Sequence, residues 1–351
     1  MKLAPVAHAL AARGDVSHSV VHTGQHFDPE MSAAFIQDLD IPAPDENLEV
    51  GPGTHAQQTA LIMQRLEPVL LARRPDVVLV YGDVNSTVAA ALVAAKLGVQ
   101  VGHVEAGLRS RDWSMPEEIN RVVTDRLSQL LFTPSRDASE NLRAEGAAAN
   151  HIHFVGNVMI DTVVAALPAA RRLDAPVLHG VAGCPYVVVT LHRPSNVDDP
   201  GALRDLLTGL EEIAAGYPVL FPVHPRTRGR LREMDAASRG NGRLRLLEPM
   251  RYLEMLGLVT HAALVITDSG GLQEETTYLG VPCLTIRPNT ERPVTCTHGT
   301  NRLVAPSGAA LRAAAHEALA RGQADTRPIE RWDGRAAERI TAVLLDGAQF
   351  D

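Results

Sequence analysis

The chain has 351 residues, with 33 Lys plus Arg against 41 Asp plus Glu, a formal net charge of −8, and 45% hydrophobic residues. That is apolar material for about two packed domains of ordinary size, and the acidic balance argues against a partner that is nucleic acid or an anionic membrane. Cys184, Cys283 and Cys296 form neither a CxxC pair nor an even disulfide framework, and no apolar run approaches the roughly 18 residues needed to cross a bilayer, so the expectation is a soluble cytoplasmic protein.

Strand and helix patterns alternate along the chain. Pro75-Asp-Val-Val-Leu-Val-Tyr81 reads as a buried strand closed by Gly82-Asp83, followed by an Ala-rich helix from about Thr87 to Leu97 and a second strand over Val99–Val104. Strand, helix and strand make a βαβ unit and call for a parallel sheet. A helix near Val158–Leu173 and a loose stretch over residues 174–183 read as the linker to a second such domain. There Tyr186–Leu191 is a strand, Asp198-Asp199-Pro200 caps a helix running to about Ala215, and Pro218–Val223 is the next strand, with a helix near Arg228. Ala262–Thr267 leads through Asp268-Ser-Gly-Gly271 into a short helix, Pro282–Ile286 closes another βαβ unit, and a last helix covers Gly334–Leu345. The fold class expected is α/β, two doubly wound domains facing a cleft. The boundaries are 1–172 and 184–330, with 331–351 packing back on the first domain.

Ligands of open parallel sheets bind beyond the C-terminal strand ends, and three polar clusters fall there. In Thr267–Glu275 two glycines admit a close backbone approach and a helix begins, which suits a phosphate at Ser269, Gly270 and Gly271, with Glu275 one turn in to accept ribose hydroxyls. An ordinary capped helix would look the same. Asp83 and Glu105 end adjacent strands, about 4.8 Å apart, and Glu117 lies in the loop Met115-Pro-Glu-Glu118. Crowded carboxylates at a desolvated site repel one another and yield an acid and a base near neutral pH; the alternatives are a helix cap for Asp83 and ion pairs of the glutamates with Arg109 or Arg121. In Thr190–Asn196, His192 is either structural or a proton donor to a departing phosphate oxygen. His224 ends the next strand, and Arg292 in Pro288–Pro293 is a candidate phosphate clamp. No His/Cys spacing or calcium loop suggests a metal, and no GxGxxG follows an early strand, so neither metal nor nicotinamide cofactor is expected.

Together these stretches resemble the non-hydrolysing UDP-N-acetylglucosamine 2-epimerase family: Lys2–Pro5, Thr23-Gly-Gln-His26, Gly82-Asp83, Gly102-His-Val-Glu-Ala-Gly-Leu-Arg109, Met115–Arg121, Leu191-His-Arg193, Thr267–Glu275 and Thr290–Pro293, in family order over nearly the whole chain. The resemblance implies the glycosyltransferase-B arrangement of two Rossmann-like domains and reversible conversion of UDP-GlcNAc to UDP-ManNAc without cofactor. UDP is eliminated to leave 2-acetamidoglucal and then adds back, with the proton returned to the other face. It implies Asp83, Glu105 and Glu117 as acid/base carboxylates and His192 at the leaving phosphate. Ser269, Gly270, Gly271 and Arg292 would hold the diphosphate, Glu275 the ribose, Met250 and Met255 would lie at the uracil, and Lys2 would also bind substrate. Gln25 and His26 match a motif that in some bacterial relatives holds a second, regulatory UDP-GlcNAc, and relatives are commonly homodimers.

Family members open with a strand and a Gly-Thr-Arg-Pro-Glu-Ala-Ile-Lys loop whose Arg contacts phosphate; here Lys2 alone matches it. The expectation is that the natural reading frame begins upstream of Met1, because loss of a central strand would bare two ladder edges. The competing readings are a UDP-sugar-dependent glycosyltransferase, a hydrolysing epimerase, and a non-catalytic UDP-sugar binding protein lacking the Arg-bearing loop.

Overall fold

Apolar runs of four or five residues, bounded by turns and separated by helices, can be buried only as parallel strands with helices on both faces. A computed structural model, which describes residues 1–25, 36–234, 242–322, 327–347 and 349–350, has that architecture twice. One unit comprises Met1–Ala165 with Glu330–Asp351, the other Ala166–Ile329.

In the first unit β1 (Val21–His22) pairs with β2 (Glu46–Asn47), and β3 (Val77–Tyr81), β4 (Gln100–Val104), β5 (Leu130–Thr133) and β6 (Ile152–Phe154) form a parallel sheet in that order. The helix Asn85–Lys96 follows β3 and buries Val88, Ala89, Ala91, Val93 and Ala94. The helix His55–Arg73 packs Ile62, Leu66 and Leu70 into the same core and starts at a capping box, Thr54 with Gln57. The C-terminal helix Ala336–Asp346 belongs to this unit: Ala336, Ala337, Ile340 and Val343 share a core with Val104 and Phe132. Asp161 accepts from the Ala336 and Ala337 N–H groups at 3.1 and 2.7 Å, satisfying the start of that helix. The chain returns past Gly156, where φ is +91° and an added Cβ would lie 2.1 Å from the Arg331 carbonyl oxygen.

In the second unit β7 (Val187–Thr190), β8 (Val219–Pro222), β9 (Leu244–Leu247), β10 (Leu264–Thr267), β11 (Cys283–Ile286) and β12 (Asn301–Val304) are all parallel, in the order β12-β11-β10-β7-β8-β9. The helix Pro200–Ala214, capped by the Asp199 carboxylate, buries Leu203, Leu206, Leu207, Leu210 and Ile213 on one stripe. It meets the helix Gly308–Arg321 where glycine is required, since a Cβ on Gly209 would lie 2.7 Å from the Gly308 carbonyl oxygen. Residues 174–183, expected as a linker, lie instead within this unit. A short helix, Ala175–Leu178, occupies them, and Ala175 and Val181 are buried in a core with Tyr186 and Leu258.

Candidate active site

In the first unit two strand ends and one helix start build the acidic cluster. β3 and β4 are in register at Tyr81 and Val104, so the residues that follow them are neighbours. Gly82 turns the chain at φ +64°, donates its N–H to the Val104 carbonyl at 3.1 Å, and delivers Asp83. Glu105 holds φ +77° without being glycine, a conformation costing on the order of 1–3 kcal/mol and concentrated at functional positions. Glu117 is not in a loop. It sits in the first turn of the helix Pro116–Leu127, where Pro at the first position is preorganised for helix and acidic side chains face the positive end of the dipole.

The repulsion expected among the carboxylates is replaced by alternating charge. The Lys2 ammonium lies 2.8 Å from Glu105 Oε1, and the Glu105 side chain is only 2% exposed. Lys2 also rests against the Gly82 turn, 2.7 Å from where a Cβ would be. Arg121, itself buried, pairs with the Asp83 carboxylate and, at 2.8 Å, with Glu118. Asn120 Nδ2 donates to the Asp83 carbonyl at 2.9 Å. Thus Asp83 and the helix carrying Glu117 are bound together, and Glu105 reaches Gly82 through Lys2. Glu117 is half-buried and makes no ion pair or side-chain hydrogen bond among the described residues. Of the arginines weighed as partners for the glutamates, Arg121 takes Asp83 and Glu118, whereas Arg109 takes Asp125 and Glu145. Glu118 stands in the Met115–Glu118 stretch but is not among the candidates read from the sequence. Burial opposes its ionisation, yet the Ser110 N–H, Arg121 and the Arg111 N–H hold its carboxyl below the usual range. Gln25 is committed to the start of the helix Asn85–Lys96, its Oε1 accepting from the Ser86 N–H and hydroxyl at 2.9 and 2.6 Å. His26 lies outside the described residues.

In the second unit the strand order reverses between β7 and β10, the switch point at which doubly wound sheets bind ligands. His192 follows β7 and Asp268 follows β10. Asp268 was also missed from the sequence. It is fully buried, and its carboxylate accepts from His192 Nδ1 at 2.8 Å, the Arg193 N–H at 2.9 Å and Asn196 Nδ2 at 3.0 Å. Burial works against that charge, but His192, Arg193 and Asn196 hold the carboxyl below its usual range. With Nδ1 so committed, Nε2 of the 39% exposed His192 side chain is left to act outward. The His224 ring lies 5.5 Å away, centroid to centroid; burial, then the His192 charge, pulls its ionisation down.

Ser269 precedes the helix Gly270–Leu279 and makes no side-chain cap bond to it, which leaves hydroxyl and helix N–H groups for an anion. Arg292 is the candidate phosphate clamp. It is buried, pairs with Glu274 at 2.8 Å and with Glu291, and braces Gly270, whose Cβ would lie 2.7 Å from its Nη1. Glu275 is buried one turn along; burial first, then the Glu274 charge, lifts its carboxyl to about 8 against the pull of Tyr252. Met250 and Met255 pack, partly buried, against the core around Tyr186, Leu258 and Leu272.

The second unit thus offers an uncapped helix start beside β10, and the first unit brings carboxylates to the ends of β3 and β4. Residues 8–345 match the family model described as UDP-N-acetylglucosamine 2-epimerase. The UDP-N-acetylglucosamine 2-epimerase of Methanocaldococcus jannaschii is 41% identical over 99% of this chain and 96% of its own. The UDP-2,3-diacetamido-2,3-dideoxy-D-glucuronate 2-epimerase of Pseudomonas aeruginosa is 41% identical over 98% and 96%. The crystal structure of the M. jannaschii UDP-GlcNAc 2-epimerase in complex with UDP-GlcNAc and UDP superposes with a TM-score of 0.90 at 40% identity, over 99% of this chain and 96% of that one. The chain belongs to the non-hydrolysing UDP-N-acetylglucosamine 2-epimerase family. It is an isomerase with two Rossmann-like units of the glycosyltransferase-B class.

Proposed function

We propose that the chain interconverts UDP-GlcNAc and UDP-ManNAc by elimination and re-addition of UDP, with Asp83, Glu105, Glu117 and His192 carrying the chemistry. The observation that carries the assignment of roles is the charge pattern of the acidic cluster: Glu105 is neutralised by Lys2 and Asp83 by Arg121, while Glu117 has no cation among the described residues. The hydrogen at C2 has no carbonyl beside it to acidify it, so it leaves as the C1–O bond to UDP breaks and the electron pair becomes the double bond of 2-acetamidoglucal. A group that takes and returns a proton cannot stay locked to a cation, and Glu117 meets that condition. Inversion needs a second proton carrier on the opposite face of the glucal, which Asp83 or Glu105 supplies when substrate displaces its cation.

In the second unit, the N–H groups at Gly270 and Gly271 and the Ser269 hydroxyl hold the diphosphate. His192, oriented by Asp268, donates to the departing phosphate oxygen. Glu275 accepts the ribose hydroxyls, and the backbone around Met250 and Met255 meets the uracil. Holding UDP and the glucal together until re-addition requires a site that excludes water.

The test is incubation with UDP-GlcNAc in D2O without added metal or nicotinamide. Deuterium at C2 of the UDP-ManNAc formed supports the reading; recovery of bound but unlabelled UDP-GlcNAc as the sole species refutes it. UDP-2,3-diacetamido-2,3-dideoxy-D-glucuronate belongs in the same assay, because the Pseudomonas enzyme named for it is as similar as the archaeal one. The protein is further proposed to act in the cytoplasm as a homodimer, for which light scattering is the measurement. Among the described residues no helix is long and apolar enough to cross a membrane.

A further inference from the structure

We propose that His103 is a positioning residue that works as a buried imidazolium, clamping the Gly82 carbonyl and so fixing the turn that presents Asp83. The inference rests on the reaction proposed above. His103 lies on β4 with no exposed surface. Its Nδ1 is 2.6 Å from Asp125 Oδ1, and its Nε2 is 2.8 Å from the Gly82 carbonyl oxygen. Neither acceptor can donate while Asp125 is ionised. A neutral imidazole owns one N–H, so in either tautomer one of these contacts would set lone pair against lone pair. A doubly protonated ring satisfies both.

The charges around the ring agree. Asp125 also accepts from the Gly107 N–H at 3.1 Å and from Arg109 at 2.7 Å, as a carboxylate does, and Arg109 is joined to Glu145 at 2.6 Å. With His103 protonated, two cations face the buried Asp125 and the 40% exposed Glu145, so the cluster is neutral overall. The peptide of Gly82 is then held at both ends by β4, its N–H by the Val104 carbonyl and its C=O by His103. Asp83 is the next residue, and Glu105 lies two residues beyond His103 on the same strand end. One ring therefore ties together the backbones that carry two of the three carboxylates.

Two measurements test this. In the wild-type protein with 15N-labelled histidine, the His103 signal, assigned by its loss in His103→Gln, should show protons on both ring nitrogens at pH 7; a ring carrying one proton there overturns the proposal without any appeal to catalysis. In steady-state assays, folded His103→Gln, which keeps a donor but no charge, should lose about 10–100-fold in kcat, with KM and the UDP Kd within about twofold. Asp125→Asn should likewise lower kcat. A role in stability alone would lower Tm and leave kcat of the folded fraction unchanged, and that result also refutes the proposal. If the wild type shows no epimerisation at all, it is the functional reading that fails, while the NMR result still decides the charge of the ring.

Discussion

Replacing Glu275 by Gln should make the protein more stable in mild alkali while weakening its hold on UDP. The carboxyl is driven from 4.5 to about 8 by burial and the neighbouring Glu274 charge. Between those values the unfolded chain has released a proton that the folded chain retains. A carboxyl raised on folding therefore leaves stability whole below pH 4.5 and erodes it as pH climbs through 8. At about 1.4 kcal/mol per unit, the folded state is destabilised by about 3 kcal/mol at pH 7 and about 5 kcal/mol above pH 9. Gln has nearly the same shape and does not ionise. Urea unfolding of wild type and Glu275→Gln at pH 5.5 and pH 8.5 should show the wild type losing about 2–4 kcal/mol more than the variant over that interval. Parallel pH dependences, or a variant less stable than wild type at pH 8.5, would refute the reasoning. In its proposed role Glu275 accepts ribose hydroxyls as a carboxylate, so UDP binding should expel the proton. Calorimetry in buffers of different ionisation enthalpy should find proton release at pH 7 in the wild type and none in the variant.

Three further outcomes follow from the geometry. Asp268→Asn removes the carboxylate that orients His192, and kcat should fall about 100-fold with the UDP Kd changed by less than about fivefold, because the helix start proposed to hold the diphosphate is untouched. Glu117→Gln, at a half-buried side chain that makes no ion pair among the described residues, should leave Tm within about 2 °C of wild type and lower C2 exchange in D2O by at least about 100-fold; wild-type exchange would remove Glu117 from the mechanism. In Gly270→Ala the new methyl meets a guanidinium pinned by Glu274 and Glu291, and titration should show UDP affinity down by about tenfold or more.

What could be read from the sequence follows the physics of burial. The strands β7 and β10 announce themselves as buried apolar runs closed by a threonine, and β3 as an unbroken apolar run although only Val80 in it is buried. The helix Pro116–Leu127 does not. Its buried positions are Glu118, Arg121, Thr124 and Asp125, while Ile119 is exposed, so no hydrophobic stripe marks it. The candidate acid/base side chains were legible as residue types, but their partners were not. Lys2 is 103 residues from Glu105, and Arg121 is 38 from Asp83, separations over which only the fold decides contact. Asp268 stood inside a motif noticed for its glycines. Its role becomes visible only when the crossover places β10 beside β7.

The first unit is written in two pieces, with the whole second unit between them, and its last piece supplies Ala336, Ile340 and Val343 to the core beneath β4. During synthesis the unit bearing Asp83 and Glu105 therefore waits, incomplete, until residues 330–351 have been made, whereas residues 166–329 emerge as an unbroken stretch. Without residues 330–351 the unit 166–329 would be whole, while the unit bearing Asp83 and Glu105 would lack Ala336, Ile340 and Val343 and expose the apolar surface they cover.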